Sequence, residues 1–254
     1  MRLLLSFILF IALLLVSCEN TEKEVRKGEK SLSASEIIDR SYKFYNVERL
    51  QEKDISFRFR IHDYSFLREG NGIVRHRKTV DTNSIEIKDV WKNGEVQRFL
   101  DDSLVVITKK QEKTYRNSIN SVFYFAFLPK GLTDPAVNTK LLEEVNIKGR
   151  EYYKVRVTFD EEGGGEDHND IFLYWFDKED FSMDYIAYQY FTEGGGVRFR
   201  EAINSRQVDR ITFQDYINYK PETKDLKLEH SDQAFENDEL IEVSRIELEN
   251  LEVY

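Results

Sequence analysis

Four histidines and a single cysteine in 254 residues leave few places where chemistry could start. The densest is Glu166-Asp167-His168-Asn169-Asp170, directly after the glycines at 163–165. Carboxylates beside an imidazole can hold a cation or move a proton. An enzyme built here would use His168 with Asp167 or Asp170. Equally, polar residues after three glycines suit a hairpin tip that stays in water. No nucleophile pairs with the cluster: there is no G-x-S-x-G elbow, and the one cysteine is Cys18. His62, His76, His168 and His230 show no metal-ligand spacing, and His62 and His76 are expected on solvated strand faces. The triple glycines at 163–165 and 194–196 lack phosphate-loop spacing. The expectation is a protein with no metal, no cofactor and no enzymatic activity.

A second constellation favours binding. In Val197-Arg198-Phe199-Arg200, alternation puts Val197 and Phe199 on one strand face and Arg198 and Arg200 on the other. The following strand offers Arg210 and Tyr216 on one face and Ile211, Phe213 and Asp215 on the other. One reading is a salt-bridge ladder on a solvated face. The other is a basic, tyrosine-rich lining for a carboxylate or phosphate head group, with Arg198, Arg200, Arg210, Tyr216, Tyr174 and Tyr188 as candidate ligand-binding residues. Aromatic content adds to this: the chain has 14 Tyr, 18 Phe and 2 Trp, and residues 171–191 are apolar on both faces. Such strands need cover on both sides, from helices alone or from helices around an apolar cavity. A formal charge of −10 argues against nucleic acid as the partner.

Cys18 points to the membrane. Arg2 is followed by an apolar run from Leu3 to Val16, too short for a helix that crosses a bilayer but suited to a secretory signal peptide. Leu15-Val16-Ser17-Cys18 resembles the bacterial lipobox. That resemblance implies cleavage before Cys18, a diacylglycerol on its sulfur and an acylated amino group. Two or more acyl chains anchor stably where one does not. The expected organisation is a signal peptide at 1–17, a lipidated N-terminus and polar tether at 18–32, and one domain at 33–254.

The elements that must position these residues are mostly strands. Ser33 and Glu36 fit a capping box, which opens a helix over about 34–46. A second helix is expected at Asn117–Leu128, where Ile119, Val122, Phe123 and Ala126 recur at helical spacing and Pro129 stops it. Strands are expected near 55–61, 73–80, 84–91, 95–100, 103–109, 152–159, 171–177, 184–192, 197–204, 208–217 and 240–253. Asn71-Gly72, Asn93-Gly94 and Lys148-Gly149 punctuate them as turns. A long antiparallel sheet with so few helices protects its apolar face by curving around them. The fold class expected is therefore mainly β (α+β): a strongly bent antiparallel half-barrel covered by helices.

Several of these stretches are familiar together: Asp167-His168-Asn169-Asp170, Tyr174-Trp175-Phe176-Asp177, Ala187-Tyr188, Arg198-Phe199-Arg200-Glu201-Ala202 with Asn204, and Phe213-x-Asp215-Tyr216-x-Asn218-Tyr219. With Phe127-Leu128-Pro129, they resemble an uncharacterised family of secreted and lipid-anchored proteins of diderm bacteria. That family in turn looks like the lipoprotein-localisation superfamily (LolA/LolB-like). The resemblance implies an open half-barrel with a helical lid and an apolar interior that receives acyl chains, and no functional residue of that superfamily maps onto this chain. The expected function is that of an outer-membrane lipoprotein of the cell envelope that binds an apolar or lipid-like ligand without catalysis. The alternative is a structural or interaction lipoprotein with a filled core.

Overall fold

The computed structural model describes residues 31–163, 168–191, 194–223 and 225–254. The expected signal peptide, Cys18 and most of the expected tether lie outside the described residues, as do Glu166 and Asp167. Ser33–Tyr254 form one compact unit.

Helix α1 (Ala34–Tyr45) begins where its capping box requires: Glu36 N–H donates to Ser33 Oγ at 3.2 Å, and Ser33 N–H donates back to Glu36 Oε2 at 2.8 Å. It ends at Asn46, whose φ of 54° no helix continues. A single turn, α2 (Val47–Leu50), follows. Among the described residues, fourteen strands then build two antiparallel sheets that do not close into a barrel.

The first sheet runs β14-β1-β2-β3-β4-β5-β6, with β1 Ile55–Phe59, β2 His62–Glu69, β3 Gly72–Val80, β4 Glu86–Lys92, β5 Glu95–Leu100, β6 Ser103–Val105 and β14 Glu249–Val253. The second runs β13-β12-β11-β10-β9-β8-β7, with β7 Val137–Ile147, β8 Arg150–Phe159, β9 Ile171–Asp177, β10 Met183–Tyr190, β11 Gly196–Val208, β12 Ile211–Pro221 and β13 Leu240–Ile246. The strand expected over 240–253 is thus two strands. The chain leaves one sheet at β13 and enters the other at β14, so the mainly β, open antiparallel fold expected is built as two sheets.

Helix α3 (Lys109–Ala126) lies between the sheets. Phe123 packs on Phe57, Tyr64 and Phe66 of the first sheet, at ring separations of 5.8, 5.8 and 6.0 Å. From the other side, Tyr124 meets Phe172 at 6.0 Å and Phe125 meets Tyr188 at 5.9 Å, both on the second sheet. The opposite face of the second sheet carries Leu173, Trp175, Tyr185, Val197 and Phe199. It is covered by Leu228 and by Phe235 of α4 (Ser231–Glu236). The double-faced aromatic strands are therefore covered by helix on each side.

The structure differs from the sequence reading in definable ways. Helix α3 starts eight residues before Asn117. Its first turns are polar and give no apolar stripe, and the start is set by a second capping box between Thr108 and Gln111. That helix takes up the end of the strand expected at 103–109. The strand expected through Ile61 stops at Phe59. Arg60 adopts φ 57° in a two-residue turn, and Ile61 is exposed although it continues the alternation. The turn between β2 and β3 is Gly70-Asn71 rather than Asn71-Gly72. Asn93-Gly94 and Lys148-Gly149 are two-residue turns with positive φ at both residues, as hairpin twist favours. Strands β2 and β7 and helix α4 are additions. Edge strand β7 buries little and its sequence does not alternate cleanly.

Candidate functional site

A cavity of ≈ 280 Å³ opens between α3, β10, β11, β12, β13 and the end of β1, where Phe59 and the exposed Arg60 line it. Its apolar walls come from Val122, Phe125 and Ala126 of α3 and from Ile246 and Leu248. Its polar wall is the inward face of the second sheet: Tyr188, Arg200, Gln214, Tyr216 and Asn218, with Ser244 beside them.

Strand alternation puts Arg200 here, since Val197 and Phe199 face the core on the other side. Arg200 is 6% exposed. Its guanidinium carbon sits 3.5 Å from the ring centroid of Phe125 and 5.2 Å from that of Tyr188. Nη2 donates to Tyr188 Oη at 3.2 Å. Nε and Nη1 are buried without a hydrogen-bond partner. Among the described residues no carboxylate forms an ion pair with Arg200. Asp215 is taken up elsewhere: Oδ1 accepts from Leu248 N–H at 2.9 Å and is paired with Arg206 at 3.1 Å.

A buried guanidinium is costly without partners, and each unsatisfied donor costs roughly 1–3 kcal/mol. Cation–π contact with Phe125 and Tyr188 offsets part of that cost. Neighbouring polar groups are mostly engaged with each other. Gln214 Nε2 donates to Tyr216 Oη and to Met183 O, each at 2.9 Å, while Gln214 Oε1 accepts from Tyr45 Oη at 2.6 Å. Tyr124 and Tyr174 share a hydrogen bond of 2.7 Å. Burial pushes the Tyr216 phenol up to about 12 and raises Tyr124 and Tyr174 as well, so all three stay protonated at neutral pH. The arrangement supplies a positive charge with open donors inside an aromatic cavity. Among the described residues, its lining holds no carboxylate, histidine or cysteine.

Residues 5–248 match the model of a family of unknown function, DUF6503. The chain belongs to that family. No curated protein is detectably similar to this DUF6503 member in sequence. Among solved structures, a LolA superfamily protein from Nitrosomonas europaea is 12% identical, with a TM-score of 0.49 over 87% of this chain and 94% of the other. A DUF1329 family protein from Desulfovibrio piger is 10% identical, with a TM-score of 0.43 over 85% and 92%. A putative outer membrane lipoprotein-sorting protein domain from Vibrio parahaemolyticus is 7% identical, with a TM-score of 0.40 over 84% and 93%.

The DUF6503 cavity gathers three of the six residues singled out from sequence: Arg200, Tyr188 and Tyr216. Tyr174 stands behind them, bonded to Tyr124. Arg198 lies outside, over Tyr190 at 5.1 Å, and its Nη1 donates to Val197 O. Arg210 does not reach the site. It sits in the exposed turn between β11 and β12 with φ 66°, where its carbonyl accepts from Asn46. Phe125, Gln214, Asn218 and Ser244 line the cavity without having been singled out. Phe125 lies off the stripe of Ile119, Val122, Phe123 and Ala126, so helical spacing does not mark it. The expectation of solvated histidines fails: His62 and His76 are half-buried, and desolvation lowers both pKa values from 6.5. Among the described residues, no cluster of three or more His, Cys, Asp or Glu is placed to hold a metal, and no helix is long and apolar enough to cross a membrane.

Proposed function

We propose that this protein is a lipid-anchored lipoprotein of the outer membrane that binds, without catalysis, an apolar molecule with an anionic head. The head lies against Arg200 and the tail follows the aromatic walls of the cavity. Cys18 carries the anchor. The observation behind the binding reading is Arg200: a buried charge with two open donors that faces a cavity and has no carboxylate. A carboxylate or phosphate oxygen there would form charge-assisted hydrogen bonds, the stronger kind. The volume, just under the usual 300–1,000 Å³ of ligand pockets, suits one short acyl segment.

The test uses the full chain in phospholipid nanodiscs and a fluorescent medium-chain fatty acid. The wild type should bind saturably, and Arg200→Gln should lose most of that affinity while retaining a cooperative melt. No saturable binding by the wild type would sink the reading. The anchor is tested separately: Cys18→Ser should move the protein from the membrane fraction to the soluble fraction, and retention after a salt wash would place the anchor elsewhere.

A second reading, a structural or interaction lipoprotein, is favoured by the aromatics of α3, which pack on both sheets. It is the outcome left if neither fatty acids nor co-purified lipids are found.

A further inference from the structure

The polar wall of the cavity has a second open position, of opposite character to Arg200. Asn218 is the direct cross-strand neighbour of Arg200 in the β11–β12 ladder. Its amide nitrogen donates to Ser244 Oγ at 3.3 Å. Its Oδ1 is buried and has no partner. Three of the buried polar atoms left without a partner among the described residues therefore lie on adjoining residues of one cavity: two donors on Arg200 and one acceptor on Asn218.

A plain carboxylate satisfies only the donors. It brings no hydrogen for Asn218 Oδ1, and it would leave that acceptor desolvated when it closes the cavity. An unmet buried acceptor costs as much as an unmet donor. Neighbouring groups do not fill the gap: Gln214 Nε2 donates to Tyr216 Oη and to the Met183 carbonyl, and no hydrogen bond links Tyr216 Oη to Asn218 Oδ1.

On the reading that the cavity takes an anionic head group, we infer that this head carries a hydrogen-bond donor next to its charge. The ligand class is a hydroxy- or amido-substituted acyl acid: the carboxylate meets Arg200, and a neighbouring O–H or N–H donates to Asn218 Oδ1. A 3-hydroxy acid and an N-acylated amino acid share this chemistry, and a simple fatty acid lacks it.

The experiment titrates the full chain in nanodiscs calorimetrically with octanoate, 3-hydroxyoctanoate and N-hexanoylglycine, with empty nanodiscs subtracted. The two donor-bearing acids should each bind roughly tenfold tighter than octanoate, the scale of one buried hydrogen bond gained and one orphan removed. Asn218→Leu should abolish that preference, because none of the three acids then meets an orphaned acceptor. Equal wild-type affinity for all three acids overturns the inference while the anion-binding reading stands. Absence of binding by all three overturns both. If Asn218→Leu weakens the three alike, Asn218 only shapes the cavity and the inference fails. Should that variant lose its cooperative melt, Asn218→Ala replaces it, and the wild-type ranking still decides.

Discussion

The guanidinium of Arg200 stacks on the ring of Phe125, with 3.5 Å from its central carbon to the ring centroid. The helix between the sheets therefore supplies the ceiling of the charged site, and the second sheet supplies its floor. Stability and binding meet at that contact. The ring that helps hold the charge also takes up space a ligand could use.

Phe125→Ala should separate the two roles. Removing the ring enlarges the cavity and deletes a cation–π contact worth on the order of 1–2 kcal/mol when desolvated. The variant should be less stable than the wild type by chemical denaturation. If the cavity is the acyl site, it should also accept longer chains, with the optimum of a fatty-acid series shifted upwards by several carbons. An unchanged optimum would mean that the tail does not run past Phe125.

Phe123 faces the other way and should affect stability alone. It is 4% exposed and its ring touches Phe57, Tyr64, Phe66 and Phe127. Phe123→Ala leaves a cavity under four aromatic rings, and Phe→Ala in such surroundings costs about 3–5 kcal/mol. Urea denaturation should show that loss with fatty-acid affinity nearly unchanged. A loss under about 1 kcal/mol would contradict the packing of α3 on the first sheet.

These two side chains mark how much the sequence discloses. The stripe containing Phe123 is legible because one apolar face repeats at helical spacing. Phe125 lies off that stripe, and only the presence of a second sheet above the helix explains it. The alternation of Val197, Arg198, Phe199 and Arg200 separates the faces of β11, yet nothing local says which face is covered by α3. Arg198 and Arg200 share a face, but only Arg200 lies under the helix. Asn218 joins the site through register: it pairs with Arg200 across a ladder that shifts between Ile203 and Arg206. A bulge of that kind has no clear mark in the sequence. Capping boxes were more informative, and the one at Thr108 and Gln111 was available to place the start of α3.

On the far face of the second sheet, Lys154 is 1% exposed and Nζ bonds Asp232 Oδ2 at 3.1 Å, the Glu229 carbonyl at 2.7 Å and Glu143 at 3.2 Å. Trp175 Nε1 donates to the same Asp232 oxygen at 3.3 Å. This network fixes α4 over the aromatic face. Lys154→Met leaves a buried carboxylate without its cation and should cost about 3–5 kcal/mol. Adding Asp232→Asn removes the orphaned charge and keeps an acceptor for Trp175. The double variant should recover part of the loss in thermal denaturation. If it is no more stable than Lys154→Met, the charge is not what makes the single change costly.

The half-buried His62 and His76 set an acid limit. His62 Nδ1 is buried without a partner, and its pKa is lowered from 6.5 by desolvation first and by Arg77 second. His76 is lowered by desolvation and by Lys88. A group whose folded pKa lies below its unfolded value takes up protons more readily in the unfolded chain. The unfolded state therefore gains protons as pH falls below about 6.5, and stability declines until the folded pKa is passed. Above that window the contribution is fully present. The strongly paired carboxylates respond later: Asp209, held to about 2 by Arg49 and Lys53, is not protonated until far more acid conditions. Chemical denaturation at about pH 7.5 and about pH 5.5 brackets the imidazoles, and Lys130, brought down to about 8 by desolvation, is mostly protonated at both. The wild type should be less stable at the lower pH, and His62→Gln should shrink the difference. An identical difference in the variant would show that His62 is protonated as easily folded as unfolded, and would assign the acid sensitivity to His76 or to groups outside the first sheet.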